Sequence, residues 1–186
     1  MLYTAITGQR DAPRDDIKCF TGDGGVMEAK EYKILAHKFI EDEISVWLDG
    51  NIFLEVPEEL LIEHFLGDAD IGVWKHPYRD CIYDEALSDA GRVETLKYQV
   101  DHYRRQGFPE HAGLYECGTL VRRNTPRVRE FNEAWWAEIC KFSSRDQISF
   151  PYVLSKIPLK VKVNEGNVRN HKWFKFNRHT GCTLPQ

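Results

Sequence analysis

Asp49 and Asn51 are the pair of residues in this chain best suited to hold a metal ion. One glycine separates them in the stretch S-V-W-L-D-G-N-I-F-L (45–54), at the point where an apolar run ends. A carboxylate oxygen and an amide oxygen at this spacing can converge on one hard cation, and Mn²⁺ or Mg²⁺ bound in this way keeps positions open for phosphate oxygens. Asp-Gly and Gly-Asn also suit two-residue hairpin turns. From the tripeptide alone, a metal site and a simple turn are both open.

Two further carboxylates could do chemistry. Glu116 lies in a run that otherwise suits a buried strand, where an unpaired carboxylate is costly. Its structural alternative is an ion pair with Arg122 or Arg123. Asp146 follows Ser144-Arg145, and an acid at that place also suits the first turn of a helix.

The C-terminal tail and one internal segment carry the remaining candidates. In N-H-K-W-F-K-F-N-R-H (170–179), His171 or His179 could ligate a metal beside basic phosphate partners, or the aromatic residues could simply dock the tail on the core. The segment H-P-Y-R-D-C-I-Y-D-E-A (76–86) crowds charged side chains that fit either a site or the exposed first turn of a helix.

Several common motifs are missing from the sequence. There is no G-x-x-x-x-G-K-[ST] loop, and Gly22-Asp23-Gly24-Gly25 does not fit G-x-G-x-x-G. These absences argue against P-loop enzymes and ordinary dinucleotide oxidoreductases. G-x-S-x-G is missing as well, which disfavours a serine hydrolase of the α/β type.

Strands and helices are predicted to alternate along the chain. Apolar, β-branched runs predict strands, namely LYTAIT (2–7), IKCFT (17–21), ISVWLD (44–49), DIGVWKH (70–76), LYECGTLVRR (114–123) and LKVKVNE (159–165). Capping residues and apolar stripes predict helices, namely Pro57 to Gly67, 92–106, one with Pro126 in its first turn, and one from Ser143 or Ser144 that meets Pro151 soon after.

This alternation, with no linker or repeat, predicts an α/β fold in a single domain over residues 1–186. The central sheet should be mostly parallel and flanked by helices. In such sheets ligands bind at the carboxyl ends of the strands, near the switch point of the strand order. The loops after the first three predicted strands carry Arg10, Asp11, Asp23 and Asp49, so a site is expected there.

Composition limits the possible partners and location. The 186 residues have a formal net charge of −4, which argues against a nucleic-acid partner held by bulk electrostatics. No stretch approaches the roughly 20 apolar residues of a transmembrane helix, so a soluble, cytoplasmic protein is expected. The five cysteines form no C-x-x-C pair and predict reduced thiols, neither a disulfide framework nor a zinc knuckle.

Five sequence blocks occur in an order that resembles one known family. They are Y-K-I-L-A-H-K-F (32–39), S-V-W-L-D-G-N (45–51), the segment 76–86, K-Y-Q-V-D-H-Y-R-R-Q-G (97–107) and S-R-D-Q-I-S-F (144–150). The chain resembles the glycosyltransferase-like family that includes the plant turgor-defective and mucilage-related proteins, whose bacterial and viral relatives are often tied to surface polysaccharides. The resemblance covers nearly the whole chain.

The resemblance implies a GT-A-type fold with a Rossmann-like nucleotide-binding half. It also implies a nucleotide-sugar donor, a glycan or other hydroxyl acceptor, and a divalent metal, Mn²⁺ or Mg²⁺, bound by an Asp-x-Asp motif. Here that motif is Asp49-Gly50-Asn51, so an amide replaces the second carboxylate and metal dependence is less certain. A C-terminal histidine often completes such a site, and His179 matches that place better than His171.

Roles for further residues follow from the resemblance. Positive charge around the donor phosphates is expected from Lys33, Lys38 and Arg79. Contacts to the base and ribose are expected from Thr7, Gly8, Arg10 and Asp23. If the reaction inverts the anomeric centre, a general base must accept the proton of the acceptor hydroxyl. Asp146 is the first candidate for that base and Glu116 the second; a retaining reaction needs neither in that role.

Two rival functions stay open from the sequence. The plant branch of the family has been linked to lipid hydrolysis, so a metal-dependent hydrolase is one rival. The other is a catalytically silent module that binds a nucleotide sugar or carbohydrate, which Asn51 and the short chain make credible. A transferase predicts metal-strengthened nucleotide binding with turnover, a hydrolase predicts activity without nucleotide, and a silent module predicts binding without turnover.

Overall fold

A computed structural model describes residues 1–8, 11–88 and 93–177 of the chain. The strands are β1 (Leu2–Thr7), β2 (Lys18–Gly22), β3 (Ile44–Leu48), β4 (Ile52–Leu54), β5 (Ile71–Lys75), β6 (Tyr115–Arg123), β7 (Val161–Asn164) and β8 (Phe174–Phe176). The α-helices are α1 (Gly25–Ile34), α2 (Glu58–Leu61), α3 (Ile82–Ser88), α4 (Val93–Arg105), α5 (Pro126–Lys141) and α6 (Asp146–Lys156). A 3-10 turn (Ala36–Lys38) follows α1, and a π-helical turn (Ile62–Leu66) continues α2.

Six strands form the central sheet in the order β2-β1-β3-β6-β5-β7. Strand β1 is parallel to both β2 and β3, and β5 is parallel to β7, whereas β6 is antiparallel to its neighbours β3 and β5. Five of the six strands therefore point the same way. The predicted α/β class with a mostly parallel sheet is confirmed.

Both faces of the sheet are buried, which explains the continuous apolarity of β3. Along this strand Trp47 belongs to one hydrophobic cluster, while Val46 and Leu48 belong to a second. Because successive side chains of a strand point to opposite faces, the two clusters cover the two faces. Helices α5 and α6 bring Trp135 and Phe150 to the first cluster.

Three elements escape the sequence prediction, namely α1, β4 and β8. The glycine-rich stretch 22–25 is typical of a flexible loop, but its last residue begins α1. Strands β4 and β8 pair antiparallel in a separate two-stranded sheet, with Ile52 opposite Phe176. Three-residue strands whose partner is more than a hundred positions away carry no local signal that sequence periodicity could detect.

Helix α6 also differs from its prediction. It begins at Asp146 and runs through Pro151 to Lys156. Helix α5 begins with Pro126 as predicted, and of the two possible caps, Asn124 and Thr125, it is Thr125 whose side chain accepts a hydrogen bond from the backbone N–H of Val128. No helix in the described ranges is long and apolar enough to cross a membrane.

Candidate functional site

The chain reverses its direction across the sheet between β1 and β3. From β1 it first crosses to β2 on one side, then returns through α1 to β3 on the other. This is the switch point at which open α/β sheets bind ligands. A small cavity of about 180 Å³ lies there, lined by Thr7, Asp11, Trp47, Asp49 and residues of α1.

A larger cleft of about 880 Å³ adjoins the small cavity. The two share the lining residues Val26, Lys30, Lys33 and Asp49. The large cleft extends from α1 past β6 to the start of α3, and most of its lining side chains are polar or charged. The protein can therefore hold an elongated polar ligand whose middle lies beside the shared residues.

Asp49, Gly50 and Asn51 form a turn without forming a hairpin. The backbone N–H of Ile52 donates to the carbonyl of Asp49 at 2.8 Å. Strand β4 then pairs with β8 and not with β3, so the chain leaves the central sheet at this turn. Asp49 and the buried Asn51 both line the large cleft. The turn interpretation is correct as local geometry and leaves the metal interpretation open.

The carboxylate of Asp49 is held by two donors. Its Oδ1 accepts hydrogen bonds from Trp47 Nε1 at 2.8 Å and from Lys33 Nζ at 3.2 Å. Gly118 of β6 lies alongside, and a Cβ added to that glycine would stand 3.3 Å from Asp49 Oδ2. The absence of a side chain at Gly118 therefore leaves the second carboxylate oxygen room to face the cleft.

Two lysines and two aspartates form a cluster where the small cavity and the large cleft meet. Asp146 Oδ2 lies 2.5 Å from Lys30 Nζ and 2.7 Å from Lys33 Nζ, and Lys33 also contacts Asp49. The side chains of Lys33 and Asp146 are only 2% and 6% exposed. We call Lys30, Lys33, Asp49 and Asp146 the lysine–aspartate cluster.

Burial and charge act against each other in this cluster. Burial alone would raise the pKa of Asp146, but Lys30 and Lys33 outweigh it and hold that pKa well below its usual range. Burial also works to lower the pKa of Lys33, yet Asp146 and Asp49 raise it above its ordinary value. For Lys30 burial prevails, and its pKa is lowered. Asp146 is thus a firmly ionised carboxylate and Lys33 a firmly charged ammonium.

Glu116 lies on the β6 wall of the large cleft with a different environment. Burial raises its pKa, with Asp49 adding to the effect and Arg169 opposing it. Its Oε2 atom is buried and has no hydrogen-bond partner in the described part of the chain. The structural alternative of an ion pair with Arg122 or Arg123 is wrong, because both arginines donate elsewhere, chiefly to backbone carbonyls.

A buried glutamate organises the far end of the large cleft. The side chain of Glu85 in α3 is only 2% exposed. Its carboxylate accepts hydrogen bonds from Arg79 Nη1 at 3.0 Å and from Arg145 Nη2 at 2.5 Å. His76 Nε2 lies 3.6 Å from the same carboxylate, and burial lowers the pKa of this histidine. Glu85 therefore fixes the two guanidinium groups at the cleft wall, where each is about one-third exposed.

Most residues singled out from the sequence meet at these two cavities. Those that line at least one of them are Thr7, Lys33, Asp49, Asn51, Arg79, Glu116 and Asp146. Asp23 and Lys38 line neither, and Lys38 pairs with Glu133 at 2.8 Å. Gly8 follows Thr7 beside the small cavity. Its φ of 69° lies in the left-handed region, and its backbone N–H donates a hydrogen bond to the carbonyl of Gly22. Arg10 and His179 lie outside the described residues.

Three cleft residues escape the sequence reasoning, namely Lys30, Tyr78 and Arg169, whereas Glu85 and Arg145 are charged residues of stretches that the sequence singles out. A signal for Lys30 does exist, because it precedes Lys33 by three positions and such residues share one face of a helix. This signal is weak because glycines, which disfavour helix, stand at the start of α1. Arg145 and Glu85 are far apart in sequence, so only the fold joins them.

The chain returns to the Asp49 turn near its C-terminal end. Strand β8 pairs with β4, and the backbone N–H of Asn177 donates to the carbonyl of Asn51 at 2.9 Å. Asn177 is the last described residue and precedes His179 by two positions in the sequence.

The donor set around Asp49 suits a hard divalent cation. Asp49 and Asn51 both line one cleft, where they offer a carboxylate and an amide, and oxygen ligands are those that Mg²⁺ and Mn²⁺ prefer. Lys33 contributes positive charge to the same carboxylate, which reduces the net negative charge that a cation would meet. The residues therefore fit a weakly held metal that keeps open positions for ligand oxygens.

Comparison with known proteins reveals one family. Residues 24–178 match the family described as TOD1/MUCI70, glycosyltransferase-like domain. Two Arabidopsis thaliana proteins are similar in sequence, with 30% identity over 152 residues to "Probable hexosyltransferase MUCI70" and 29% over 148 residues to "Alkaline ceramidase TOD1". These alignments cover 74% and 71% of this chain but 26% and 32% of the relatives, so the chain spans about a quarter to a third of their length.

One solved structure is also similar. The apo crystal structure of mouse xyloside xylosyltransferase 1 superposes with a TM-score of 0.44 and 15% sequence identity. The superposition covers 79% of this chain and 63% of that one.

Proposed function

The chain belongs to the TOD1/MUCI70 family of glycosyltransferase-like domains, and we propose that it transfers a sugar from a nucleoside diphosphate sugar to a hydroxyl group of a glycan acceptor. The observation that carries this proposal is the lysine–aspartate cluster at the junction of the two cavities. A donor of this class has a nucleoside at one end, a diphosphate in the middle and a sugar at the other.

The shape of the site matches that order of parts. The small cavity at the switch point accepts the nucleoside, as Rossmann-like halves do. Lys30 and Lys33 then lie beside the diphosphate, where the firmly charged ammonium of Lys33 offsets phosphate charge. The large cleft takes the donor sugar and the acceptor. Tyr78, 74% exposed at that cleft, offers an aromatic face for a sugar ring.

Asp49 and Asn51 would hold the divalent metal of this site. When bound, the metal stabilises as a Lewis acid the negative charge that grows on the departing nucleoside diphosphate. The bond from Asn177 to Asn51 supports His179 as a further ligand, since it anchors the chain two residues before that histidine. Gly118 and Trp47 orient the carboxylate of Asp49 for this role.

The residues of the chain supply the remaining chemistry. Lys30 and Lys33 stabilise the leaving diphosphate by charge that is already in place before the reaction, so little reorganisation is needed. Arg79 and Arg145, fixed by Glu85, orient groups at the acceptor end of the large cleft. Glu116 and Asp146 are the carboxylates available for proton transfer.

In an inverting reaction, the environments of the two carboxylates favour Glu116 as the base. A general base works best when its pKa lies near the operating pH. Burial moves the pKa of Glu116 upward, towards that range, whereas two lysines hold the pKa of Asp146 far below it. We therefore reverse the order expected from the sequence and assign Asp146 to hold Lys30 and Lys33 in position. In a retaining reaction Glu116 needs no such role.

Lipid hydrolysis is the rival function that the name of one relative raises. The relative "Alkaline ceramidase TOD1" carries that activity in its name. A ceramide would bring long apolar chains, whereas the large cleft of this chain is lined mainly by charged and polar side chains. The polar lining supports a glycan and nucleotide ligand.

Calorimetric titration tests the proposal. The protein is titrated with UDP, GDP, CDP and their sugar forms in the presence of Mn²⁺ and again after addition of EDTA. We expect one nucleotide to bind, with an affinity that falls on chelation, and the matching nucleotide sugar to be consumed when a glycan acceptor is added. Absence of binding by every nucleotide under both conditions would refute the proposal.

Two variants sharpen the test. Asp49→Ala removes the proposed metal ligand from a partly exposed turn and should abolish the Mn²⁺-dependent part of nucleotide binding. Asp101→Ala is the matched control, because Asp101 is an exposed carboxylate that pairs only with Arg104 in the described structure and lies outside both cavities. Nucleotide binding by Asp49→Ala equal to that of Asp101→Ala would contradict the metal assignment. Ceramide cleavage without nucleotide would favour the rival hydrolase.

A further inference from the structure

A thiol, a carboxylate and an imidazole meet at the start of α3. One ligand atom each from Cys81, Asp84 and His111 lies within 4.8 Å of the others. Cys81 is buried, with 3% exposure, whereas Asp84 and His111 are exposed. None of the three residues lines the large cleft or the small cavity, so this group is separate from the candidate site at Asp49.

His111 has a backbone conformation that needs an explanation. Its φ is 53°, in the left-handed region, and it is the one residue other than glycine with positive φ in the described part of the chain. Such a conformation costs free energy and persists when the surroundings enforce it. Here it turns the imidazole towards α3, where Nδ1 lies 2.8 Å from Asp80 Oδ1.

Asp80 is placed as an outer partner of a metal-binding histidine. In metal sites a carboxylate commonly accepts a hydrogen bond from one ring nitrogen of the histidine and fixes the orientation of the other. Asp80 also accepts, through its backbone carbonyl, the N–H of Gly113 at 2.9 Å. The loop over residues 106–114 is thereby tied to the start of α3 at two points around His111.

We propose that Cys81, Asp84 and His111 bind one zinc ion that joins the 106–114 loop to α3. A thiolate, an imidazole and a carboxylate are the ligand types that zinc takes in proteins, at about 2.0–2.3 Å, with a fourth position left for water. Binding releases the thiol proton of Cys81 to solvent. The ligand atoms lie within 4.8 Å of one another, so a bound zinc ion requires them to draw closer together.

The position of this site gives the zinc ion a role in supporting the large cleft. Asp84 is followed directly by Glu85, which fixes Arg79 and Arg145, and the 106–114 loop leads into β6, which carries Glu116. A metal that joins the loop to α3 therefore stabilises the two sides of the large cleft, one formed by Arg79 and Arg145 and the other by β6. Zinc is a supporting ion in this proposal and takes no part in sugar transfer.

Metal analysis of the full chain tests the site. The protein is freed of metal with chelator, incubated with one equivalent of Zn²⁺, passed over a desalting column, and assayed for bound zinc; Co²⁺ is used in parallel as a spectroscopic probe. We expect one retained zinc ion per chain and a thiolate-to-cobalt charge-transfer band. Asp80→Asn should weaken zinc binding by about tenfold or more, as loss of an outer carboxylate does.

Three variants make the outcome decisive. Cys81→Ser should lose the charge-transfer band, whereas Cys140→Ser, which changes an exposed thiol, should keep it. Because Cys81 is buried and its variant could misfold, His111→Asn provides a second route. Asparagine tolerates the left-handed backbone, so this variant keeps the loop conformation while it removes the imidazole.

Either of two results would overturn the zinc proposal. One is a wild-type protein that retains no more zinc than His111→Asn, and the other is a charge-transfer band that survives in Cys81→Ser. Asp49→Ala should retain zinc in full, because the two sites are separate. Failure of the zinc site and failure of the metal site at Asp49 are therefore distinguishable.

Discussion

Lys30 Nζ lies 2.5 Å from Asp146 Oδ2, although the two residues are 116 positions apart in the chain. The same oxygen is 2.7 Å from Lys33 Nζ. One buried carboxylate is therefore the shared counter-charge of two ammonium groups that the proposed mechanism uses to hold a diphosphate. Several properties of the protein should depend on this contact.

Asp146→Asn should destabilise the fold strongly. The change leaves the buried ammonium of Lys33 and the partly buried ammonium of Lys30 without their shared counter-charge. Breaking a buried pair in this way costs about 3–5 kcal/mol. Urea unfolding at neutral pH measures the loss. Asp101→Asn is the control, because its exposed pair with Arg104 should contribute less than about 1 kcal/mol. Equal losses in the two variants would show that the lysines do not depend on Asp146.

The stability that Asp146 contributes should vanish in acid. Because its pKa is lower in the folded than in the unfolded chain, the stabilisation is present above the ordinary value of 3.8 and is lost as the pH falls through the folded-state pKa. The difference in free energy of unfolding between wild type and Asp146→Asn should therefore shrink at acid pH. A difference that stays constant from pH 7 to acid would contradict the depressed pKa.

Lys33→Met should have opposite effects on the two ligands of the site. Removing the ammonium 3.2 Å from Asp49 Oδ1 leaves that carboxylate more attractive to Mn²⁺, so Mn²⁺ affinity should rise. Metal-free affinity for the nucleoside diphosphate should fall about tenfold or more, because the anion loses a partner. Separate titrations with Mn²⁺ and with the nucleoside diphosphate measure the two affinities. Lys38→Met, at an exposed lysine paired with Glu133, should change neither.

Glu116→Gln should stabilise the protein while impairing transfer. Burial raises the pKa of Glu116, so folding is opposed by its ionised form, and this cost grows as the pH rises from 4.5 through the raised pKa. Replacing the acid by a neutral amide should therefore raise the free energy of unfolding at pH 7. For an inverting reaction kcat should fall about 10²–10⁴-fold.

The pH profile gives a second readout for Glu116. A base must be ionised, so wild-type activity should rise with pH through the raised pKa of Glu116, and Glu116→Gln should lack that limb. A variant that is less stable than wild type yet keeps full activity and the same profile would exclude the role proposed for this carboxylate.

Gly118→Ala should disturb the metal site most, because Gly118 lines the large cleft and not the small nucleoside cavity. A Cβ at this position would stand 3.3 Å from Asp49 Oδ2 and 3.1 Å from Ile52 Cδ1, so the carboxylate must shift. Overpacking of this kind costs about 1–3 kcal/mol of stability. We expect the Mn²⁺-dependent part of nucleotide binding to weaken while binding in EDTA is retained. Equal weakening under both conditions would place the effect outside the metal site.

The sequence alone predicted the α/β class and the six strands of the central sheet, and it singled out Asp49, Glu116 and Asp146, which the fold brings to one cleft. Apolar runs and capping residues are local signals, and an Asp-Gly-Asn tripeptide at a strand end is visible in ten residues. Where the sequence reasoning failed, the signal was weak or remote. The glycines at the start of α1 weaken the sequence signal for that helix, and therefore for Lys30. No residue pattern near β4 predicts that it pairs with β8.

Only the tertiary structure decided what each carboxylate can do. Asp146 and Glu116 look alike in sequence, yet the fold brings two lysines to the first and leaves an oxygen of the second buried without a hydrogen-bond partner in the described structure. Their pKa values move in opposite directions because burial and charge at each position depend on residues distant in the chain. The sequence likewise does not predict that Cys81 and His111 lie close together, because only the packing of the 106–114 loop on α3 brings them into proximity.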